Sequence, residues 1–307
     1  MNTTSSYPLS RLRDFGATIS DTITFLKMNL KELVLMYVIF VAPFLLIATL
    51  LGADSFSEFF SGIGDDMGDF LRSLKDFGPM MLLSIFMYIL AAMLYPTLVY
   101  RYMRLYEEGA GQKPTIQQVS SGLFRQTLTN AGYSLLLIFG LIVSALIVII
   151  PIIGFLVFFF GMIFLMINFT MLLPATTIEN HSFPGGYGRA IRLVKGRWWY
   201  TFGVVIIILM ISWFFTMIIS FTTSMVFGLA SVNFLDPDSA SEVLTKKYFL
   251  VTGLSAILQQ LFYLIPHVGM GILFFSLREE KEAGGLSATL DTLGTDATPT
   301  THPEEQF

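Results

Sequence analysis

The sequence predicts an all-α fold, a polytopic transmembrane helical bundle with six spans. Its longest stretches are apolar and carry no charged side chain; they are residues 79–100, 131–178 and 198–235. About 20 apolar residues, at about 1.5 Å rise per residue, match a bilayer core of about 30 Å. The composition agrees, because only 13% of the 307 residues are charged, whereas soluble domains average about 25%.

The six spans follow in order from these stretches and from shorter apolar runs near both ends. The third and fourth spans are separated only by a tight turn, which Pro151 and Gly154 permit. The predicted spans are residues 33–51, 79–100, 131–150, 152–173, 200–229 and 248–277. Residues 1–282 thus form one transmembrane domain. We expect the polar remainder, residues 283–307, to be a disordered cytoplasmic tail, because it cannot bury enough apolar surface to offset chain entropy.

The positive charges predict how the spans are oriented. Fourteen of the 18 Lys and Arg residues fall on the same side of the membrane as the N-terminus, and the other side carries Arg72, Lys75, Lys246 and Lys247. The positive-inside rule then places both termini in the cytoplasm. The loop at 53–78 is acidic instead, and we interpret it as an exposed outer segment, with binding of a hard cation by its carboxylates as the alternative.

A short amphipathic segment with basic residues precedes the first, third and fifth spans. In the first segment the apolar residues recur every three or four positions, as on one face of a helix. They are Leu9, Leu12, Phe15, Ile19, Ile23, Leu26 and Leu30. One segment followed by two spans would form a hairpin unit, present three times in parallel orientation. The alternative is that this order arises by chance and from the usual alternation of basic segments and apolar spans in membrane proteins.

The basic residues of the third segment are candidates for contacts with lipid headgroups. They are Arg189, Arg192, Lys195 and Arg197. Basic residues that flank an apolar helical face favour the anionic leaflet by about 1 kcal/mol per charge. The same charges can fix the topology without any ligand, and both interpretations stay open. The expected partners are the lipid bilayer, anionic lipid headgroups and a membrane protein, but not nucleic acid, since the formal charge is −4.

Four polar side chains inside the spans are the second set of candidates. They are Asn168, Gln259, Gln260 and His267. Such residues either form hydrogen bonds between helices or line a transport pathway. Pro266 adds weight to His267, because a proline within a helix leaves a carbonyl without its usual partner. A transporter or channel for a small or lipidic solute is therefore the alternative function.

No pattern in the sequence indicates a catalytic site. The three histidines lie far apart in the chain, no cysteine is present, and the motifs of zinc proteases, serine hydrolases and P-loop enzymes are missing. No carboxylate lies within a predicted span, so an intramembrane enzyme is the least favoured class. We expect a non-enzymatic protein without a cofactor or metal, which organises the membrane or binds a partner or lipid.

Two stretches carry a resemblance to a known group of proteins. One is RAIRLVKGRWW at 189–199 with TFG at 201–203, and the other is FFSLREEKE at 274–282 with the acidic end at 303–305. Together with the first amphipathic segment, they resemble uncharacterised six-helix membrane proteins of bacteria, particularly of Bacteroidetes. These proteins are similar to the membrane domain attached to some glycerophosphodiester phosphodiesterases.

The resemblance implies a location in the bacterial inner membrane and a relation to lipid metabolism. It implies no activity, because the fused enzymes carry their catalytic His, Glu and Asp residues in a separate barrel domain around a metal. The present chain has no spare soluble segment of that size, and its histidines do not match. No catalytic residue is therefore transferred to this sequence.

Overall fold

The computed structural model describes residues 7–62, 67–150, 153–232 and 240–295. Within these ranges the chain forms helices and turns without a strand, which confirms the predicted all-α bundle. The helices are α1 Phe15–Phe40, α2 Ala42–Gly62, α3 Met67–Glu108, α4 Ile116–Ser120, α5 Leu123–Ser144, α6 Ile153–Ile178, α7 Phe183–Val194, α8 Trp198–Val232, α9 Ala240–Leu261 and α10 Leu264–Thr295. A 3-10 turn, Ala145–Ile149, extends α5.

Five helical stretches of the described chain are long and apolar enough to cross a membrane, and a sixth is formed if α1 and α2 count as one bent span. The number agrees with the six predicted spans and indicates a membrane-embedded protein. The five are Gly78–Glu108, Leu123–Ile147, Ile153–Ile178, Trp198–Val226 and Leu250–Ala283.

The first span is bent and is joined to the amphipathic segment before it. Helix α1 begins at Phe15 behind its N-cap Asp14, whose side chain accepts a hydrogen bond from the Ala17 amide. It runs without interruption into the predicted span and ends at Phe40, where the axis bends by 42° into α2. Pro43 explains the break, because a proline cannot donate a helical hydrogen bond and its ring clashes with the preceding turn.

Helices α2 and α3 extend well into the predicted outer loop. Helix α2 continues to Gly62 and α3 already begins at Met67, so most of the loop at 53–78 is helical. The two aspartates Asp65 and Asp66 of the acidic stretch lie outside the described residues. Pro79 and Pro96 are both contained within α3, and neither of them ends the helix.

The sixth span is interrupted where the sequence contains Pro266. Helix α9 ends at Leu261 and α10 begins at Leu264, so the proline lies in the first turn of α10, a position where its missing N–H costs little. Helix α10 then continues to Thr295, into the segment that composition predicts to be disordered. Extending an existing helix needs no new nucleus, which explains this difference; residues 296–307 lie outside the described ranges.

The turn between α5 and α6 depends on a glycine. A Cβ atom added to Gly154 would collide with the carbonyl group of Ile147, so the two chain segments can approach this closely only because Gly154 has no side chain. The Gly154 amide donates to the Ile150 carbonyl at 2.9 Å. Residues 151–152 of the predicted turn lie outside the described ranges.

The three amphipathic segments have different structures. The first belongs to α1, the second is split between the short α4 and the start of α5, and the third is the separate helix α7. In α1 the buried face includes Thr18, Asp21 and Thr22, whereas Phe15 and Leu30 of the apolar stripe are exposed. Ile19, Ile23 and Leu26 of the same stripe are half-buried, so protein covers this face in part. The proposed hairpin repeat stays a prediction.

The start of α1, the last turns of α3, helices α4 and α7, and the middle of α10 meet at one end of the bundle, which we call the basic end. There Arg278 of α10 donates to Ser10 at 2.6 Å and pairs with Glu107 of α3. Arg189 of α7 contacts Glu282 of α10 at 2.9 Å. These bonds join the segment before α1 and helices α3, α7 and α10.

Arg13 lies fully buried at the basic end. Its Nε donates to Asp21 Oδ2 at 2.6 Å, and its Nη1 donates to the Leu9 carbonyl at 2.7 Å. Arg11 pairs with the same carboxylate, and the Arg13 amide donates to the Ser276 hydroxyl at 3.1 Å. A buried charge needs such partners, so this cluster fixes the segment before α1 against α10.

Candidate functional site

A polar cavity of about 460 Å³ opens at the basic end, between α3, α5 and the connection from α6 to α7. We call it the two-arginine cavity. Its lining residues are Arg101, Gly122, Arg125, Gln126, Thr129, Asn130, Tyr133, Thr176, Asn180, His181 and Ser182. Its volume falls within the range of about 300–1,000 Å³ that is usual for small-molecule sites.

Asn130 supports the cavity from inside the bundle. Its amide nitrogen donates to the hydroxyl oxygens of Thr97 and Thr177, both at 3.0 Å. Its amide oxygen accepts from the Thr176 hydroxyl, also at 3.0 Å. Only 1% of Asn130 is exposed. An amide carries both donors and an acceptor, so this one side chain joins α3, α5 and α6 at the same point.

Arg101 is held in place by neighbours on α4 and α5. Its Nη1 donates to Gln126 Oε1 at 3.2 Å, and its Nη2 donates to the Ser121 carbonyl. Gln126 is itself fixed, since its amide nitrogen donates to the Thr176 carbonyl at 3.2 Å. The Nε of Arg101 is buried and has no hydrogen-bond partner among the described residues. The Arg101 side chain as a whole is half-buried and lines the cavity, so it offers its positive charge to an anion there.

The cavity has a positive charge that no lining side chain neutralises. Arg125 is exposed, and its guanidinium has no partner in the part of the chain that the structure describes. No Asp or Glu is among the lining residues. Glu179 lies nearby, but Arg189 binds both of its oxygens, at 2.9 and 2.8 Å, and His181 contacts it at 3.0 Å. The bond to Glu179 raises the pKa of Arg189, so that pair stays ionised.

Two helix starts contribute to the cavity wall. Gly122 and Ser182 are the N-cap residues of α5 and α7, and neither helix receives a side-chain cap there. Gly122 has φ +79°, a left-handed conformation that glycine adopts without strain. The first N–H groups of a helix lack internal partners and carry a partial positive charge, which adds to the charge of the two arginines.

The predicted headgroup contacts of α7 divide into two groups. Arg189 and Arg197 are engaged within the protein, since Arg189 binds Glu179 and Glu282, and Arg197 Nε contacts Glu280 at 2.7 Å. The backbone of Lys195 also accepts a bond from Lys281 at 2.9 Å. The side chains of Arg192 and Lys195 are exposed and without a partner among the described residues. Only this second group is open to lipid headgroups.

The four polar residues predicted within the spans lie apart from each other. Asn168 is buried, and its amide donates to the Phe164 carbonyl of the same helix at 2.8 Å. The half-buried Gln259 makes no side-chain hydrogen bond to the described residues. Gln260 donates to the Tyr88 hydroxyl at 3.2 Å, beside a mostly apolar cavity of about 430 Å³ between α2, α3 and α9.

His267 packs against two aromatic rings of α3. Its ring centroid lies 4.9 Å from that of Tyr95 and 6.4 Å from that of Tyr100, both in edge-to-face orientation. No hydrogen bond or ring contact joins any two of Asn168, Gln259, Gln260 and His267 within the described residues. None of the four lines the two-arginine cavity.

Sequence reasoning missed the residues that form the cavity. From the sequence, Arg101 and Arg125 were considered only as charges that fix the orientation. Asn130 was not considered, because it lies one position before the predicted third span. The available signal was an amide beside a hydrophobic run together with two arginines at span ends. These residues come together only because α3, α5 and the α6–α7 connection pack against each other. The hydrophobic periodicity of the sequence does not reveal such tertiary packing.

Searches of protein-family models, curated proteins and solved structures find no match to the chain. The resemblance to six-helix bacterial membrane proteins therefore stays a prediction. Within the described residues, no group of three or more His, Asp or Glu side chains is arranged to hold a metal ion. The two-arginine cavity is consequently the candidate site on which a function can be argued.

Proposed function

We propose that the protein is a non-enzymatic membrane module that binds the headgroup of an anionic lipid in the two-arginine cavity and so organises lipid around itself. The observation that carries the proposal is the pairing of Arg101 and Arg125 in a polar cavity that no carboxylate lines. Arginine presents several N–H donors in a planar fork that matches phosphate oxygens. A phosphate is therefore the group that this cavity fits best.

The proposed orientation brings the cavity to the inner leaflet. Most of the basic residues gather at the basic end, and the positive-inside rule assigns that end to the cytoplasm. In a bacterial inner membrane, with both termini cytoplasmic, the cavity would open at the level of the inner headgroups. The exposed side chains of Arg192 and Lys195 would support this placement through the negative potential of the leaflet.

The surroundings of the cavity support binding rather than chemistry. Tyr133 and Ser182 offer hydroxyl groups, and Asn130 keeps the helices in place. A fixed set of donors around a positive charge holds an anion without needing a nucleophile or a metal. The protein would thus retain lipid. A membrane protein partner would bind to it through that lipid or through α7.

Transport is the second candidate, and the break between α9 and α10 beside His267 favours it. Interrupted helices mark the substrate sites of many transporters. Flux into proteoliposomes should then depend on the polar residues near the break. A flux that survives both His267→Ala and Gln260→Leu would remove these residues from the transport hypothesis.

Lipid retention tests the headgroup proposal. The protein is extracted into native lipid particles, and the lipids that copurify are quantified by mass spectrometry. We expect anionic lipid to be enriched over the bulk membrane for the wild type. Replacing both cavity arginines, Arg101→Gln with Arg125→Gln, should lower the enrichment by well over tenfold, because two charge-assisted contacts are lost and each contributes about tenfold.

The matched control removes two other positive charges from the same end of the bundle. Arg192→Gln with Lys195→Gln changes the net charge equally but leaves the cavity intact. We expect this double variant to retain the wild-type enrichment within about twofold, since exposed charges act weakly and are screened. Equal losses in both double variants would contradict the proposal, because a general surface charge would then explain retention.

A further inference from the structure

The charge of the two-arginine cavity sets how much negative charge a ligand must bring. Arg101 and Arg125 contribute two positive charges, and the described lining residues contribute no negative one. Two acidic residues lie close by: Glu179 is bound by Arg189 through two hydrogen bonds, and Glu108, which lines a neighbouring cavity together with Arg101, is paired with Arg104. A ligand with a single negative charge would match only one of the two guanidinium groups, whereas a ligand with a charge of about −2 could match both.

The donors of the cavity also outnumber the oxygens of a singly charged phosphate. The Arg101 side chain lines the cavity, and the whole guanidinium of Arg125 is free among the described residues. The uncapped helix starts at Gly122 and Ser182 add a partial positive charge, although Pro184 leaves the first turn of α7 with one N–H group fewer. A phosphodiester offers two non-bridging oxygens and one charge, whereas a phosphomonoester offers three oxygens and a charge of about −1.5 to −2 at neutral pH.

We propose that the two-arginine cavity selects phosphomonoesters over phosphodiesters. The inference rests on the proposed headgroup function and narrows it to one chemical class. The phosphate can belong to a lipid whose headgroup is a bare phosphomonoester or to a free phosphomonoester from the cytoplasm. Arg101, fixed by Gln126 and Ser121, would bind one side of the phosphate, and Arg125 would close over the other.

Competition between two lipids tests this selectivity. The purified protein in detergent receives equal amounts of phosphatidic acid and phosphatidylglycerol with the same acyl chains, and native mass spectrometry measures how much of each is bound. We expect phosphatidic acid to be favoured about tenfold, the effect of one additional charge-assisted contact. Equal occupancy that still depends on both arginines would overturn the selectivity and leave the headgroup function intact.

Two variants of Arg125 keep the test independent of folding, because this exposed side chain has no partner to lose among the described residues. Arg125→Gln should abolish the preference and bring both lipids to similar occupancy. Arg125→Lys keeps the charge but cannot bind in a bidentate manner, so it should retain only part of the preference. A preference that is unchanged in Arg125→Gln would contradict the assigned site.

A soluble probe identifies the source of the phosphate. Glycerol 3-phosphate is added to the wild type in the absence of lipid and then in competition with phosphatidic acid. Binding on its own and displacement of the lipid would show that the cavity recognises the free phosphomonoester as well. Retention of the lipid against an excess of the probe would assign the site to the lipid form. If no anionic lipid or probe is bound at all, both this inference and the headgroup function fail.

Discussion

The two ends of the α5–α6 pair differ in what surrounds them. At the basic end Asn130 and Thr177 are buried and joined by hydrogen bonds. Towards the α5–α6 turn the side chains are apolar and open, with 66% of Phe139, 64% of Leu146 and 64% of Phe160 exposed. The same two helices are therefore packed in protein at one end and free of it at the other.

The difference shows which residues hold a membrane bundle together. Lipid tails are as apolar as leucine, so burying an apolar side chain in protein instead of lipid brings little gain, whereas a polar group must find a partner. In this protein the helices accordingly pack against each other where their polar residues lie. Three predictions on the free energy of unfolding in a lipid bilayer test that conclusion, each with a control elsewhere in the molecule.

The largest loss is expected for Arg13→Ala. Among the described residues, removing this buried side chain leaves Asp21 with only the exposed Arg11 as an ionic partner, and breaking a buried ion pair costs about 3–5 kcal/mol. The control Arg104→Ala breaks an exposed pair with Glu108 within α3 and should cost about 0.5 kcal/mol or less. Similar losses in the two variants would show that the cluster around Arg13 does not hold the basic end together.

A smaller loss is expected for Asn130→Leu. The variant keeps the size of the side chain but removes hydrogen bonds to Thr97, Thr176 and Thr177, and we expect it to cost about 1–2 kcal/mol. The control is Ser144→Ala, at the far end of α5, whose hydroxyl donates to the Leu141 carbonyl of its own helix and to no other helix in the part of the chain that the structure describes. A loss for Ser144→Ala that matched the one for Asn130→Leu would remove the distinction between the two ends.

The smallest effects are expected for two glycine-to-alanine changes, and they have opposite signs. A Cβ at Gly269 would lie 2.6 Å from Ile208 Cδ1, whereas one at Gly140 would meet nothing within 4 Å. Gly269→Ala should therefore lower the free energy of unfolding by about 1 kcal/mol through overpacking. Gly140→Ala should raise it by up to about 1 kcal/mol, since alanine favours the helix. The same sign at both sites would contradict the described packing.

The sequence predicts where the helices of this protein lie along the chain far better than it predicts which helices pack against each other. Span positions follow from hydropathy, because a bilayer demands long apolar helices. The bend after Phe40 and the long α3 were not predicted, since Pro43 breaks a helix while Pro79 and Pro96 do not. Which face of an apolar helix meets protein cannot be derived from apolarity alone.

The candidate site was harder to predict for the same reason. Arg101, Arg125 and His181 lie in three separate segments and meet only through tertiary packing. The exposed basic residues of α7 were the more visible signal, yet Arg189 and Arg197 turned out to be used in ion pairs with neighbouring acidic residues. Charge patterning identified the correct end of the bundle but not the residues that form a cavity there.

The most direct test of the account compares lipids at the two ends of α5. A photo-crosslinking amino acid is placed either at Tyr133, which lines the two-arginine cavity, or at the exposed Phe139. Both positions are aromatic, so the probe replaces a ring of similar size. The lipids captured at each position in native membranes are then identified by mass spectrometry. We expect mainly anionic phosphate lipids at position 133 and the bulk lipid composition at position 139. The same composition at both positions, or anionic enrichment at 139 alone, would contradict it.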